Sequence, residues 1–257
     1  MSFCAGCIDL KELPGSPTGT EKQIAGLTVY VAEGSKKGSI LIAPDIYGLG
    51  IVNPRIVADK LAKQSGFTVF AVDYFKGGQM KPEEFELPSK ASEGAPDEAK
   101  MGKNFENFMA WFGKGNGPDK TFPLTKPVIE EAKKSGPVGV VGYCYGGKIA
   151  SLAAQESGLV DGIALYHPSL LEPEEADKIT TPVLINGAEL DPLFAPELRQ
   201  TWETKLKAKN LLDAASTTYP NTVHGFGLRP DLQDTQVKSG WEKSIDATSS
   251  FFNKVFA

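Results

Sequence analysis

Short runs of apolar residues rich in valine, isoleucine and aromatic side chains alternate along the chain with longer stretches of helical periodicity. The runs LTVYVA (27–32), SILIAP (39–44), FTVFAVD (67–73), VGVVGY (138–143), GIALYH (162–167), PVLING (182–187) and STTYPN (216–221) read as strands. Amphipathic stretches such as 54–65, 148–156 and 196–207 lie between several of them. Strands separated by helix-length segments imply βαβ units, and hence an α/β fold with a mainly parallel, twisted sheet covered by helices on both faces. The C-terminal GWEKSIDATSSFFNKVFA places Trp241, Ile245, Phe252 and Val255 near one helical face, as expected of a closing helix.

The interval 77–120 breaks the alternation. It is rich in Lys, Glu, Gly and Pro, with one helix expected around 98–111. It reads either as a lid beside a functional site or as a solvated surface excursion. The chain shows no internal repeat and no second composition regime, so residues 1–257 are expected to form one domain with this insertion inside it.

Composition narrows the function. Of 257 residues, 41% are hydrophobic and 23% charged, an ordinary globular balance, and the formal net charge is -5. An acidic chain without a basic block argues against nucleic acid or an anionic membrane as partner. No apolar run approaches the roughly 18 residues that span a bilayer, and the start lacks the basic and apolar regions of a secretory signal. Three cysteines, an odd number, make no disulfide framework, and a reducing, cytoplasmic setting is the simplest expectation.

The chemistry concentrates in VVGYCYGGKIA. Gly142-Tyr143-Cys144-Tyr145-Gly146 fits the G-x-nucleophile-x-G elbow, a strained turn that lifts a nucleophile above the edge of a sheet. A buried strand before it and a helix after it supply the required context; a cysteine merely buried beside a glycine turn is the plainer alternative. Such an elbow is followed along the chain by an acid and then a histidine. Of the two histidines, His224 follows every candidate acid, whereas His167 ends the strand after the elbow helix and is expected to be structural. Asp191, after the PVLING run, is the expected acid and Glu189 the competing carboxylate. The acid holds the imidazole tautomer and stabilises its protonated form. The N–H of Tyr145, next to the nucleophile, and the N–H of Ile46, after an early strand, are the expected oxyanion donors.

With GYCYGG at the nucleophile, ELDPLF at the acid and HGFGLR at the base, and with APDIYG and AVDYFKGG in matching positions, the chain resembles the dienelactone hydrolase (carboxymethylenebutenolidase) family of α/β-hydrolases. The likeness spans most of the chain from about Thr28, and the early PGSPTGT resembles fungal-type members. The resemblance implies an α/β-hydrolase fold. It also implies hydrolysis of a small lactone or activated ester through a thioester, without metal or cofactor. Bacterial members place a glutamate in the early loop to activate the cysteine. Here the matching residue is Asp45, one methylene shorter, whose plainer role is loop hydrogen bonding. Family members bind a substrate carboxylate with basic side chains, which carries over to Arg229 and Lys76 and implies a carboxylated substrate. Arg229 could instead pair with Asp231, and Lys76 could be solvated. A monomer or a homodimer fits equally.

Sulfur restricts the substrate. A thiol ionises more easily than a serine hydroxyl, with a reference value of about 8.5, and a helix N-terminus and a protonated imidazole favour the thiolate. Thiolate also departs readily from a tetrahedral intermediate. Turnover therefore favours substrates that expel an enolate, phenolate or thiolate, and peptides are expected to be very poor substrates. Rival readings are an acyl-transfer or lyase-like enzyme of secondary metabolism, and a non-catalytic, redox-sensing relative in which Cys144 is only oxidisable. Cys4 and Cys7 form a C-x-x-C without the surroundings of a redox or zinc site, and are expected in a surface tail.

Overall fold

The computed structural model describes residues 11–94 and 97–257. Eight strands form one sheet: β1 (Thr20–Ile24), β2 (Leu27–Ala32), β3 (Lys36–Ala43), β4 (Phe67–Val72), β5 (Val138–Tyr143), β6 (Gly162–Tyr166), β7 (Val183–Leu190) and β8 (Thr217–Val223). Their order is β1-β2-β4-β3-β5-β6-β7-β8. The first two pairings, β1 with β2 and β2 with β4, are antiparallel, and the remaining ones are parallel. The helices are α1 (Asn53–Ser65), α2 (Glu98–Phe112), α3 (Pro118–Lys133), α4 (Tyr145–Gln155), α5 (Glu175–Lys178), α6 (Pro196–Ala208) and α7 (Thr235–Val255).

The near-continuous apolar runs are explained by burial of both sheet faces. Successive side chains of a strand point to opposite faces, and here each face has its own core. Ile40, Ile42, Val141, Tyr143, Ala164 and Tyr166 pack with Leu61 of α1 and Trp241, Ile245 and Phe252 of α7. Leu41, Ala43, Val140, Ile163, Leu165 and Val183 pack with Val128 of α3, Ile149 of α4 and Trp202 of α6. The closing helix buries Trp241, Ile245 and Phe252 as its periodicity predicts, with Val255 half-buried at its end.

Two of the elements that the sequence pattern does not predict are informative. β1 is an exposed, charged edge strand, TEKQI, joined to β2 by Ala25 and Gly26 at φ 50° and 80°. Positive φ at both central residues gives the tight hairpin its twist, while lysine and glutamate blunt the open edge. α3 carries Pro123 and Pro127 in its interior. Proline removes a helical hydrogen bond and clashes with the preceding turn, so the local signal reads against a helix. Packing outweighs it: Thr121, Thr125, Val128, Ile129 and Ala132 form one buried stripe, and Thr121 Oγ1 lies 2.7 Å from Tyr145 Oη.

The segment 77–120 contains α2, two short 3-10 turns at Pro82–Glu84 and Ala91–Glu93, and the start of α3. Among the described residues no helix is long and apolar enough to cross a membrane. Cys4 and Cys7 lie outside the described residues.

Phe252 is fully buried at the centre of the α7 face. Phe252→Ala is expected to cost about 3–5 kcal/mol of stability, read as a lowered urea midpoint; a loss below about 1 kcal/mol would contradict this account of the core.

Candidate active site

The carboxyl ends of the parallel strands converge on one place, where ligands of open α/β sheets bind. β3 leads to Asp45 and Ile46, β5 to Cys144, β6 to His167 and Ser169, β7 to Asp191, and β8 to His224.

Cys144 occupies φ 52°, ψ -114° between β5 and α4, a conformation that costs a non-glycine residue on the order of 1–3 kcal/mol. Steric exclusion holds it there. A Cβ on Gly146 would lie 1.9 Å from the Ala43 carbonyl oxygen, and one on Gly142 would lie 2.3 Å from that of Gly146. Only glycine permits α4 to start so close to β3. The Cys144 N–H donates to the Tyr166 carbonyl at 3.1 Å, and the Ser169 N–H donates to the Cys144 carbonyl at 3.0 Å. The sulfur therefore sits at the N-terminus of α4, where the dipole favours negative charge. Tyr145 is the first residue of that helix, so its N–H has no acceptor within the helix. Ile46 shares a cavity with Cys144.

Asp191 Oδ1 and His224 Nδ1 are 2.7 Å apart, with both side chains almost fully buried. The same oxygen accepts the N–H groups of Leu193 and Phe194, each at 3.0 Å, which aims the carboxylate. His224 is anchored by its own N–H to the Leu190 carbonyl at 3.1 Å, beside the register shift between β7 and β8. Its Nε2 has no hydrogen-bond partner among the described residues. Desolvation works to lower the imidazole, but the charge of Asp191 and the interaction with Cys144 raise it to about 10. The competing carboxylate, Glu189, is exposed and accepts the Asn221 N–H instead.

Other predicted residues take different places. Asp45 is fully buried, but no hydrogen bond joins it to Cys144. It accepts the Tyr47 N–H at 3.0 Å through Oδ1 and faces Arg229 Nε at 3.4 Å through Oδ2. Its short side chain stays within its own loop, where burial pushes the carboxyl above the usual range against the pull of Arg229. Arg229 also stacks on Tyr47, with its guanidinium carbon 4.5 Å from the ring centre. It does not pair with Asp231, whose partner is Lys11. Lys76 is exposed in a turn at φ 52° and lines neither cavity described below.

Two cavities lie at the site. One, of about 180 Å³, is lined by Cys144, Ser169 and mainly apolar side chains. The other, of about 460 Å³, holds His224, Arg229, Lys100 and Glu86. Phe85 borders both, so the segment 77–120 contributes walls to each. Ser169 went unrecognised in the sequence: its Oγ is 3.7 Å from Cys144 Sγ. The available signal was its position just beyond β6, the strand beside the elbow strand. No group of three or more His, Cys, Asp or Glu side chains that could hold a metal occurs among the described residues.

His167 is fully buried at φ 35°, its ring centre 4.8 Å from that of His224. The Gly227 N–H donates to its Nε2 at 3.2 Å, which leaves the proton on Nδ1. Desolvation first, then the positive charges of His224 and Arg229, hold it well below the usual imidazole value.

Residues 25–256 match the dienelactone hydrolase family. A protein of Aspergillus violaceofuscus called Hydrolase pyvD is 29% identical over 254 residues, covering 96% of this chain and 95% of its own. Dienlactone hydrolase 1 of Gibberella moniliformis is 28% identical over 228 residues, covering 86% and 81%. Among solved structures, a putative dienelactone hydrolase from Klebsiella pneumoniae superposes with a TM-score of 0.63 at 17% identity, covering 91% of this chain and 98% of that one.

The two histidines predict opposite pH effects on stability. An unfolded His167 takes up a proton below about pH 6.5 that the folded site resists. Its contribution is thus present above that pH and lost as pH falls. His224, raised when folded, contributes fully below about pH 6.5 and loses that contribution as pH rises towards about 10. Between pH 5 and 6.5, wild type is expected to lose melting temperature relative to His167→Gln. Buried Asp45 and Asp73 titrate alike in both proteins and cancel; parallel curves would refute the assignment.

Proposed function

The chain belongs to the dienelactone hydrolase family and is a carboxylic ester or lactone hydrolase; from this premise we propose that it cleaves enol-lactones or activated esters through a thioester on Cys144. The observation that carries this reading is the coincidence of two arrangements at one sheet edge: a cysteine held at positive φ on a helix N-terminus, and a buried Asp191–His224 pair whose Nε2 is unengaged.

In the proposed reaction, the thiol proton already resides on His224 Nε2, and the sulfur attacks the acyl carbon as the thiolate. The N–H groups of Tyr145 and Ile46 receive the oxyanion, in a water-poor site where such donors are strongest. Collapse breaks the bond to the leaving oxygen, which takes the proton from His224 and departs into the polar cavity. Water then enters, gives a proton to His224, and attacks the thioester. The second tetrahedral intermediate expels the sulfur and releases the acid. Asp191 keeps the proton on Nδ1 and stabilises the imidazolium throughout.

Asp45 fits a supporting role. Its contacts favour holding Arg229 in the polar cavity over ionising Cys144 directly. Arg229 there offers a donor fork suited to a carboxylate or other anionic part of the leaving group. Nothing favours such a role for exposed Lys76.

With p-nitrophenyl acetate, wild type is expected to show a burst of p-nitrophenol and an acetylated Cys144 in its intact mass. Cys144→Ala and His224→Ala should fall to background, and Asp191→Asn should lose on the order of 10³- to 10⁴-fold in kcat. Equal rates for the variants and wild type would end this reading.

A further inference from the structure

The two cavities differ in chemistry as well as size, and that difference bears on the substrate. At Cys144 the walls include Ile46, Phe85, Met101, Phe108, Leu170 and Leu193. Among the described residues, only Asn104 and Ser169 add polar side chains beside the cysteine. Asn104 is already committed: its Oδ1 accepts the Glu86 N–H at 3.1 Å and its Nδ2 donates to the Glu86 carbonyl at 2.7 Å. Ser169 Oγ faces the sulfur. A polar substituent entering this cavity would therefore lose its hydration with little to replace it.

Across Phe85 the second cavity is charged, with Lys100, Glu86 and Arg229 beside His224. The imidazole that protonates the leaving oxygen belongs to this side. The acyl group must then occupy the apolar side, against the sulfur that receives it. A dry apolar cavity of about 150 Å³ accommodates benzene; the one here measures about 180 Å³. Its aromatic wall, with Phe85 and Phe108 edge to face at 6.5 Å, suits a flat ring.

We infer that the preferred substrates carry, on the acyl side, a single unsubstituted apolar ring, aromatic or alicyclic, joined to the reacting carbonyl by a short link. Met101 and Phe108 of α2, together with Phe85, select it. This inference rests on the reading of Cys144 as nucleophile and adds the substrate class.

The test uses p-nitrophenyl esters of acetic, phenylacetic, 4-carboxyphenylacetic and 1-naphthylacetic acid, each rate normalised to its alkaline hydrolysis. Phenylacetate is expected to exceed acetate in kcat/KM by at least about tenfold. The carboxylated and naphthyl analogues should fall below phenylacetate. In Met101→Ala, checked for folding by circular dichroism, the naphthyl-to-phenyl ratio should rise about fivefold or more as the cavity deepens. A phenylacetate advantage below twofold, a carboxylated ester that matches phenylacetate, or an unchanged ratio in the folded variant would overturn the inference. Absence of any Cys144-dependent turnover across the panel would instead remove the reading beneath it.

Discussion

The first turn of α4 packs against the carboxyl end of β3 with no space for a side chain at Gly146, and the geometry of the site depends on this approach. Because the helix begins so close to the neighbouring strand, Cys144 has only a left-handed path between β5 and α4. The same approach sets the loop after β3 beside the helix N-terminus, so that Ile46 and Cys144, distant in the sequence, line one cavity. The strain at Cys144, of order 1–3 kcal/mol, is sustained by a sheet buried on both faces. His167 and Leu170, just beyond β6, also hold positive φ, at 35° and 61°. Three of the eight non-glycine residues at positive φ among the described residues thus lie where the reacting groups converge.

Burial gives the charges of the site their leverage. Removed from water, a carboxylate and a cation interact far more strongly than at the surface, although each costs desolvation. Two such pairs lie within the site, Asp191 with His224 and Asp45 with Arg229. Between them, His167 stays neutral and contributes a polar surface without a third positive charge. The arrangement keeps imidazolium available on one ring and excludes it from its neighbour.

Much of this was legible in the sequence, for identifiable reasons. Parallel strands buried on both faces leave continuous apolar runs, and all seven predicted strands match to within three residues at each end. The elbow was readable because its glycines answer a steric demand that tolerates nothing else. The order of acid and histidine then selected Asp191 and His224, which the structure brings to 2.7 Å. What escaped depends on tertiary contact. α3 defies its prolines because a buried stripe stabilises it, and β1 is an edge strand without an apolar signature. Ser169 meets the sulfur only through the pairing of β5 with β6. The position of Asp45 followed from the likeness to other chains, but its contacts turn on the length of one side chain, which no pattern of residue types conveys.

The hydrogen bonds over the cavities are largely internal to their own segment. Asn104 pairs with Glu86, Asn107 with the Glu84 carbonyl and Trp111 with the Gly78 carbonyl. Ties to the rest of the molecule are fewer, among them Tyr47 to the Phe85 carbonyl and Ser92 to Asn221. None of these bonds passes through Cys144, Asp191 or His224. The roof is in this sense largely separate, although the Tyr145 hydroxyl of the elbow donates to the Asn116 carbonyl at 2.7 Å. Changes in its length or aromatic content can redraw the shape of an acceptable acyl group while the elbow and the acid–histidine pair keep their geometry, so that selectivity and chemistry are free to diverge at different rates.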